Sequence, residues 1–378
     1  VISCISLPHS PAANLEGTII DMGDGAPEDF ERRAEEIKGQ IVMTTSVVSP
    51  KGSKRWIHRG EKFGRSLLAG ASGFILVNHY PGYGPATGGI GQDGEALIPG
   101  ISISMEDGAF IRRLATKSGE VKIRLTSTDR CEPMISWNVV GDLPGLEQAD
   151  QIVMLGSHYD GHDISQGAED PASGVVSVME AARLLARYAP PLPCTVRFVL
   201  WGIEEIGLLG SEAYVAVHAD ELDQVRFYLN MDSAGAKGNN RDIVLNEWPA
   251  LQSLLEQWSE EMALEFAVGQ KTSAHSDHFP FFMQGVPTGG MQSAEPSLEG
   301  RGYGHTQYDT VDKVALTCLR DAAALAARLA LRLASEKDWP VARRDQGTVL
   351  ALLDTPEYQE ERELRARVDA FYRQAREG

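Results

Sequence analysis

The sequence predicts an α/β protein: a mostly parallel central sheet flanked by helices on both faces, joined to a smaller α/β module. Three features predict it. From about residue 136 onward, apolar strand-like runs alternate with helical stretches, and β–α alternation builds a parallel sheet covered on both faces. The run CTVRFVLW is β-branched, aromatic and apolar on both sides, which predicts a central strand of such a sheet. Before residue 131 a separate set of strand and helix patterns carries no cluster of reactive side chains.

Residues 1–32 read as a lead-in strand and loop, punctuated by Gly and Pro around IIDMGDGAPEDF, that packs with the larger domain. Residues 33–130 then read KGQIVMTTSV, GEKFGRSLLAGASGFILVNH, ALIPGISISMEDGAFIRRLA and VKIRLTST, which is strand, helix–strand, strand–helix, strand. A Gly-rich loop, PGYGPATGGIGQDG, lies between. His58 and His79 stand alone here and read as packing or surface histidines. The larger domain, 131–340, opens with MISWNVVGDL. QIVMLGSH is its next strand and Ala172–Tyr188 a helix with its polar positions on one stripe. After these come CTVRFVLW, a helix at Leu208–His218, the strand VRFYLNM, a helix at Trp248–Met262 and a long Ala/Leu helix at Ala315–Ser335. Residues 341–378 form a charged tail that reads as an amphipathic helix with one docked face.

Composition excludes several classes of function. The chain has 378 residues, 43% hydrophobic and 23% charged, with a net charge of −18. That charge repels phosphate, so nucleic acid and anionic membrane are excluded as partners. No apolar stretch reaches the roughly eighteen residues of a membrane span, and no signal-peptide pattern opens the chain. The four cysteines, Cys4, Cys131, Cys194 and Cys318, are far apart and form neither a disulfide framework nor a cysteine metal site.

The chemistry gathers at strand ends. GSHYD supplies His158 and Asp160, GAED supplies Asp170, and WGIEEIG supplies Glu204 and Glu205. YLNMDSAG supplies Asp232, and YGHTQYDT supplies His305 and Asp309. In a parallel sheet these strand ends share one edge, where α/β proteins place their sites. Glu204 and Glu205 come after an apolar strand at a bend introduced by Gly202, so both carboxylates can face one cavity. Like charges that close need a cation. Imidazole and carboxylate together suit zinc.

The combination HYDGHDISQGAED, EEIGLLGSEAY and SDHFPFFMQGVP, in this order and spacing, resembles the co-catalytic zinc exopeptidases of the aminopeptidase and glutamate carboxypeptidase superfamily. The similarity is to the plasma glutamate carboxypeptidase branch and related bacterial aminopeptidases, and it runs from about residue 136 to 333. Residues 33–130 resemble the protease-associated domain of that branch. The resemblance implies two Zn²⁺ ions per chain: His158 and Asp232 on one, Glu205 and His305 on the other, and Asp170 bridging both. Glu204 would be the general base, and Asp160 would accept the second ring N–H of His158. A peptide would be the substrate, cleaved from one end. A single-zinc glutaminyl cyclase-like acyltransferase and a non-catalytic receptor or scaffold are the alternatives on this fold. The family often has an aromatic residue or His before the last His ligand. Here that position is Gly304, with Tyr303 one place earlier as the candidate to hold the oxyanion. The branch also carries a segment ahead of the part that matches Val1, which implies a trimmed chain or a domain completed differently. A secreted or periplasmic location is implied by the same resemblance, and a homodimer is open.

The resemblance finally implies a cis peptide after the bridging aspartate. Before proline that bond costs only about 0.5–1 kcal/mol, against roughly 3–4 kcal/mol elsewhere. An N-cap aspartate followed by a trans proline would turn its oxygens toward its own helix. A bridging ligand needs both oxygens outward, so Asp170–Pro171 is expected to be cis.

Overall fold

A computed structural model describes every residue except 92–93, 237, 239–240, 263–265, 294–301 and 378, and the side chain at 357. The chain divides into two compact units. The first comprises Val1–Met134, His305–Gln307 and Leu353–Gly378, and the second Ile135–Gly304 and Tyr308–Leu352.

The first unit is built on six strands: β1 (Ile5–Ser6), β2 (Ala13–Asp21), β3 (Ile41–Thr45), β4 (Gly73–Val77), β5 (Gly100–Ile103) and β6 (Lys122–Ser127). They lie in the order β1-β5-β4-β3-β2-β6. The inner four are parallel, and β1 and β6 close the edges antiparallel. Strand alternation sends Val42 and Phe74 into one core and Met43 and Ile75 into another. The helix Pro356–Glu377 belongs to this unit and buries Leu364, Val368 and Tyr372 in the first of these cores. It meets the helix Arg59–Leu68 at Gly64, where an added Cβ would lie 2.9 Å from Val368 Cγ2. Beside that contact Arg65 pairs with Glu360 at 2.6 Å. His58 caps the helix Arg59–Leu68 by accepting the Gly60 N–H at 3.2 Å, and His79 shares a 2.7 Å hydrogen bond with Ser46. Both histidines are structural, as the sequence suggests.

The second unit holds a mixed, mostly parallel sheet of seven strands. These are β7 (Val139–Leu143), β8 (Gln148–His158), β9 (Cys194–Trp201), β10 (Val225–Asn230), β11 (Arg241–Leu245), β12 (Val268–Gln270) and β13 (Thr288–Ser293). Their order is β12-β11-β13-β10-β8-β9-β7, with only the β11–β13 and β9–β7 pairings antiparallel. The helices Ser173–Tyr188 and Leu316–Ser335 contribute Val178, Ala181, Ala326 and Leu329 to the core on one face. Trp201, Tyr214, Tyr228 and Phe281 fill a second core. CTVRFVLW is an interior strand, although it lies next to the edge strand β7 rather than at the centre. The centre is β10, flanked by β13 and β8. In register, His158 stands beside Trp201 and Gly156 beside Asn230. Three neighbouring parallel strands therefore end together, and the residues just beyond each end are brought to one edge. No described helix is long and apolar enough to cross a membrane.

Candidate metal centre

His158 is the last residue of β8 and is 1% exposed. Its Nδ1 lies 2.9 Å from the backbone carbonyl of Asp160, so the ring N–H goes there. That leaves the lone pair on Nε2, which sits 3.3 Å from Asp170 Oδ1 and 3.3 Å from Asp232 Oδ1. The Asp160 carboxylate is 3.7 Å from Nδ1, too far for a hydrogen bond. The expected role of that carboxylate changes accordingly. Its two oxygens accept the backbone N–H groups of Glu204 at 3.0 Å and Glu205 at 3.2 Å, so Asp160 pins the bend that carries both glutamates.

The bend itself is made one residue later than the sequence suggests. Ile203, not Gly202, takes the left-handed conformation, with φ 60°, and a β-branched residue there is strained. Gly202 serves close approach instead: an added Cβ would lie 2.5 Å from Ser136 Oγ and 2.7 Å from the Trp137 carbonyl. Turned this way, Glu204 places Oε2 4.0 Å from His158 Nε2. Ligand atoms of His158, Asp170 and Glu205 lie within 4.8 Å of one another, as do those of His158, Glu204 and Asp232.

Asp170 arrives on a wide helical turn, Ala168–Ala172, that runs into the helix Ser173–Tyr188. It is extended, with φ −122° and ψ 100°, inside the helical turn. The Asp170–Pro171 bond is cis, as expected. Asp309 holds this turn: Oδ1 accepts the Glu169 N–H at 2.6 Å and Oδ2 the Asp170 N–H at 3.1 Å. The sequence marks Asp309 as ligand-type but assigns it no role. Gly174 lets its helix lie directly on β10's end, since a Cβ there would be 2.1 Å from the Met231 carbonyl. Gly304 is as constrained, because a Cβ would stand 2.9 Å from Asp170 Oδ2. An aromatic residue or His at 304 would collide with the carboxylate. Tyr303 donates its backbone N–H to Glu169 at 2.5 Å, and Lys313 Nζ stands 5.4 Å from its ring centre.

Asp232 lies just past β10 and is held from behind by a buried chain of hydrogen bonds. Trp201 Nε1 donates to Tyr228 OH at 2.6 Å, and Tyr228 OH donates to Asn230 Oδ1 at 3.1 Å. Asn230 Nδ2 then donates to Ser276 Oγ at 2.7 Å, and Ser276 donates to Asp232 Oδ2 at 2.9 Å. Sequence reasoning missed Tyr228, Asn230 and Ser276 as supports. The only signal available was the phrase SDHFPFFMQGVP, which holds Ser276. His162 was missed altogether. It is buried, and its Nε2 is 2.9 Å from Glu205 Oε2.

The electrostatics of this edge call for cations. Burial drives the Glu204 carboxyl well above the ordinary range, and Asp232, Asp277 and Glu205 add to the rise against the opposing pull of His158. Burial alone would lower His158, yet Asp232, Asp160 and Asp170 outweigh it and raise the imidazole well above its usual value. Asp277, fully buried beside Ser211, is pushed up to about 7 by desolvation. Crowded acids of this kind are what a divalent ion neutralises. The spacing agrees. Ligand atoms about 2.0–2.1 Å from a tetrahedral zinc are about 3.3–3.4 Å apart, and His158 Nε2 stands 3.3 Å from both aspartates. His305, with φ 62°, groups with the first unit, where the Thr87 N–H donates to its carbonyl at 2.9 Å and its Nδ1 is 3.3 Å from the Thr87 carbonyl.

Comparison with known proteins agrees with the architecture. The sequence model of peptidase family M28 matches residues 138–330, and that of the PA domain matches residues 11–111. The leucine aminopeptidase 2 of Trichophyton equinum is 31% identical over 301 residues, covering 76% of this chain and 57% of the relative. That of Trichophyton rubrum is 30% identical over 244 residues, covering 61% of this chain and 48% of the relative. The chain thus spans about half the length of the curated relatives it matches. Among solved structures, a peptidase M28 precursor from Shewanella amazonensis superposes with a TM-score of 0.75 at 26% identity, over 91% of this chain and 79% of that one. A zinc aminopeptidase from Bacillus subtilis shares the fold, with a TM-score of 0.66 at 24% identity over 91% and 82% of the two chains. With more than half of its residues matched by one family, this chain belongs to peptidase family M28 and carries a PA domain.

Proposed function

We propose that this chain carries the active site of a zinc-dependent aminopeptidase with two Zn²⁺ ions. One position would be held by His158 and Asp232, the other by Glu205 and His305, with Asp170 shared. One observation carries the reading: a buried imidazole lone pair 3.3 Å from two carboxylates, with a third carboxylate 4.0 Å away. Zinc held there would polarise the scissile carbonyl and make a bound water acidic near neutral pH.

The chain's own residues do the rest. Glu204 takes the water's proton and delivers it to the leaving amine, a transfer for which burial has already raised its affinity for protons. Asp160 and Asp309 keep the glutamate bend and the Asp170 turn in place. The leucine aminopeptidase relatives favour a free amino terminus with an apolar side chain over the carboxypeptidase alternative. A secreted or periplasmic location belongs to the same proposal and is tested by fractionation.

The test is a cleavage screen with leucyl and acidic aminoacyl reporters, their N-blocked forms, and peptides cut from the carboxyl end. Leucyl reporters should be cleaved, N-blocked ones spared, and activity should vanish on chelation and return with Zn²⁺. Full activity in metal-free protein, or cleavage only of N-blocked substrates, would overturn the proposal.

A further inference from the structure

The position that includes Glu205 has one more ligand-type side chain than the expected set provides. His162 lies four residues beyond His158, in the loop after β8. It is 9% exposed and Glu205 is 8% exposed. The 2.9 Å between His162 Nε2 and Glu205 Oε2 lies wholly within the second unit. The loop is fixed at both ends. His158 ends the strand on one side, and on the other the Gln166 N–H donates to the Asp309 carbonyl at 3.1 Å. His162 is thus presented to Glu205 by a braced segment, not by a free surface arm.

The spacing has a chemical meaning. Two ligand atoms on one zinc at about 2.0–2.1 Å are about 3.3–3.4 Å apart across a tetrahedral edge and about 2.9 Å apart at a right angle. The His158 contacts match the first value, and the His162–Glu205 contact, at 2.9 Å, matches the second. A right-angle pair occurs in ions with more than four ligands, a number to which catalytic zinc can expand. The competing arrangement is a buried ion pair. At that distance the imidazole either coordinates beside Glu205 or merely donates its N–H to the carboxylate.

We propose that His162 Nε2 is a ligand of the metal that Glu205 holds, giving that position an imidazole beyond the expected set. The inference rests on the two-metal reading above.

The test uses the full chain and its His162→Ala and His162→Gln variants. Each is stripped of metal, then titrated with Zn²⁺ against a chromophoric chelator and with Co²⁺ followed by visible absorption. Gln can still donate a hydrogen bond to Glu205 but has no imidazole lone pair, and it covers the case in which the alanine variant fails to fold. Both variants should bind one of the two metals at least tenfold more weakly and show a changed Co²⁺ spectrum, while the other metal binds as before. Wild-type affinity and an unchanged spectrum in His162→Gln would overturn the ligand role and leave only a hydrogen bond. A native chain that binds no metal at all would overturn the two-metal reading and this inference with it.

Discussion

Asp309 touches neither proposed metal and yet should matter to both. Its carboxylate takes the N–H groups of Glu169 at 2.6 Å and Asp170 at 3.1 Å, and the side chain is 1% exposed. Asparagine at 309 keeps the shape but offers one acceptor and one NH₂ group. If the remaining oxygen serves the shorter bond, the Asp170 N–H is left facing a donor. A buried N–H without an acceptor costs about 1–3 kcal/mol, which in a unit of this size lowers the melting temperature by roughly 2–12 °C. The turn that loosens is the one that presents Asp170, so metal affinity should fall by about 10–100-fold, the range for lost ligand supports. The assay is calorimetric melting of the metal-free Asp309→Asn protein together with a Zn²⁺ titration. Wild-type melting and wild-type affinity together would refute the reasoning.

Glu204→Gln should keep both metals and lose several orders of magnitude in turnover, whereas Glu205→Gln should lose or weaken one metal; reversed metal contents would exchange their roles. Tyr228→Phe removes the middle of the chain from Trp201 to Asp232. It should weaken Zn²⁺ binding at the Asp232 position several-fold, read by chelator competition, with little change at the other. His278, whose buried imidazole is lowered to about 4, is neutral in the native protein. The unfolded chain therefore binds more protons between about pH 6.5 and 4, and stability should fall as the pH drops through that window, by up to about 3 kcal/mol. Melting curves across it should flatten for His278→Asn.

The gathering of His158, Glu204, Glu205 and Asp232 was legible because strand ends in a parallel sheet share an edge. Once QIVMLGSH, CTVRFVLW and VRFYLNM read as neighbouring strands, His158, the Glu204–Glu205 pair and Asp232 had to meet, and no side-chain detail was needed. The helices at Ser173–Tyr188 and Leu316–Ser335 were equally readable, since long apolar periodicity survives any tertiary context. Three short strands, β11, β12 and β13, were not. TGGMQS carries two glycines and little β-branching, and it becomes a strand only because β10 and β11 lie on either side of it.

The supports behind the ligands were decided by tertiary structure alone. Asp160 lies close to His158 in sequence, but its carboxylate goes to the backbone of residues 204 and 205, because the carbonyl of Asp160 is the nearer partner for the ring. Asp309, Ser276 and Tyr228 act across separations of 139, 44 and 27 residues, to Asp170, Asp232 and Trp201. The host of the C-terminal helix, the first unit, is likewise set by where Gly64 leaves room for Val368. By itself the sequence determined which ligand-type side chains stand at the strand ends, because residue type and local periodicity suffice for that. Which backbone groups and buried side chains hold them within hydrogen-bond reach depends on contacts between distant segments, and those exist only once the chain has folded.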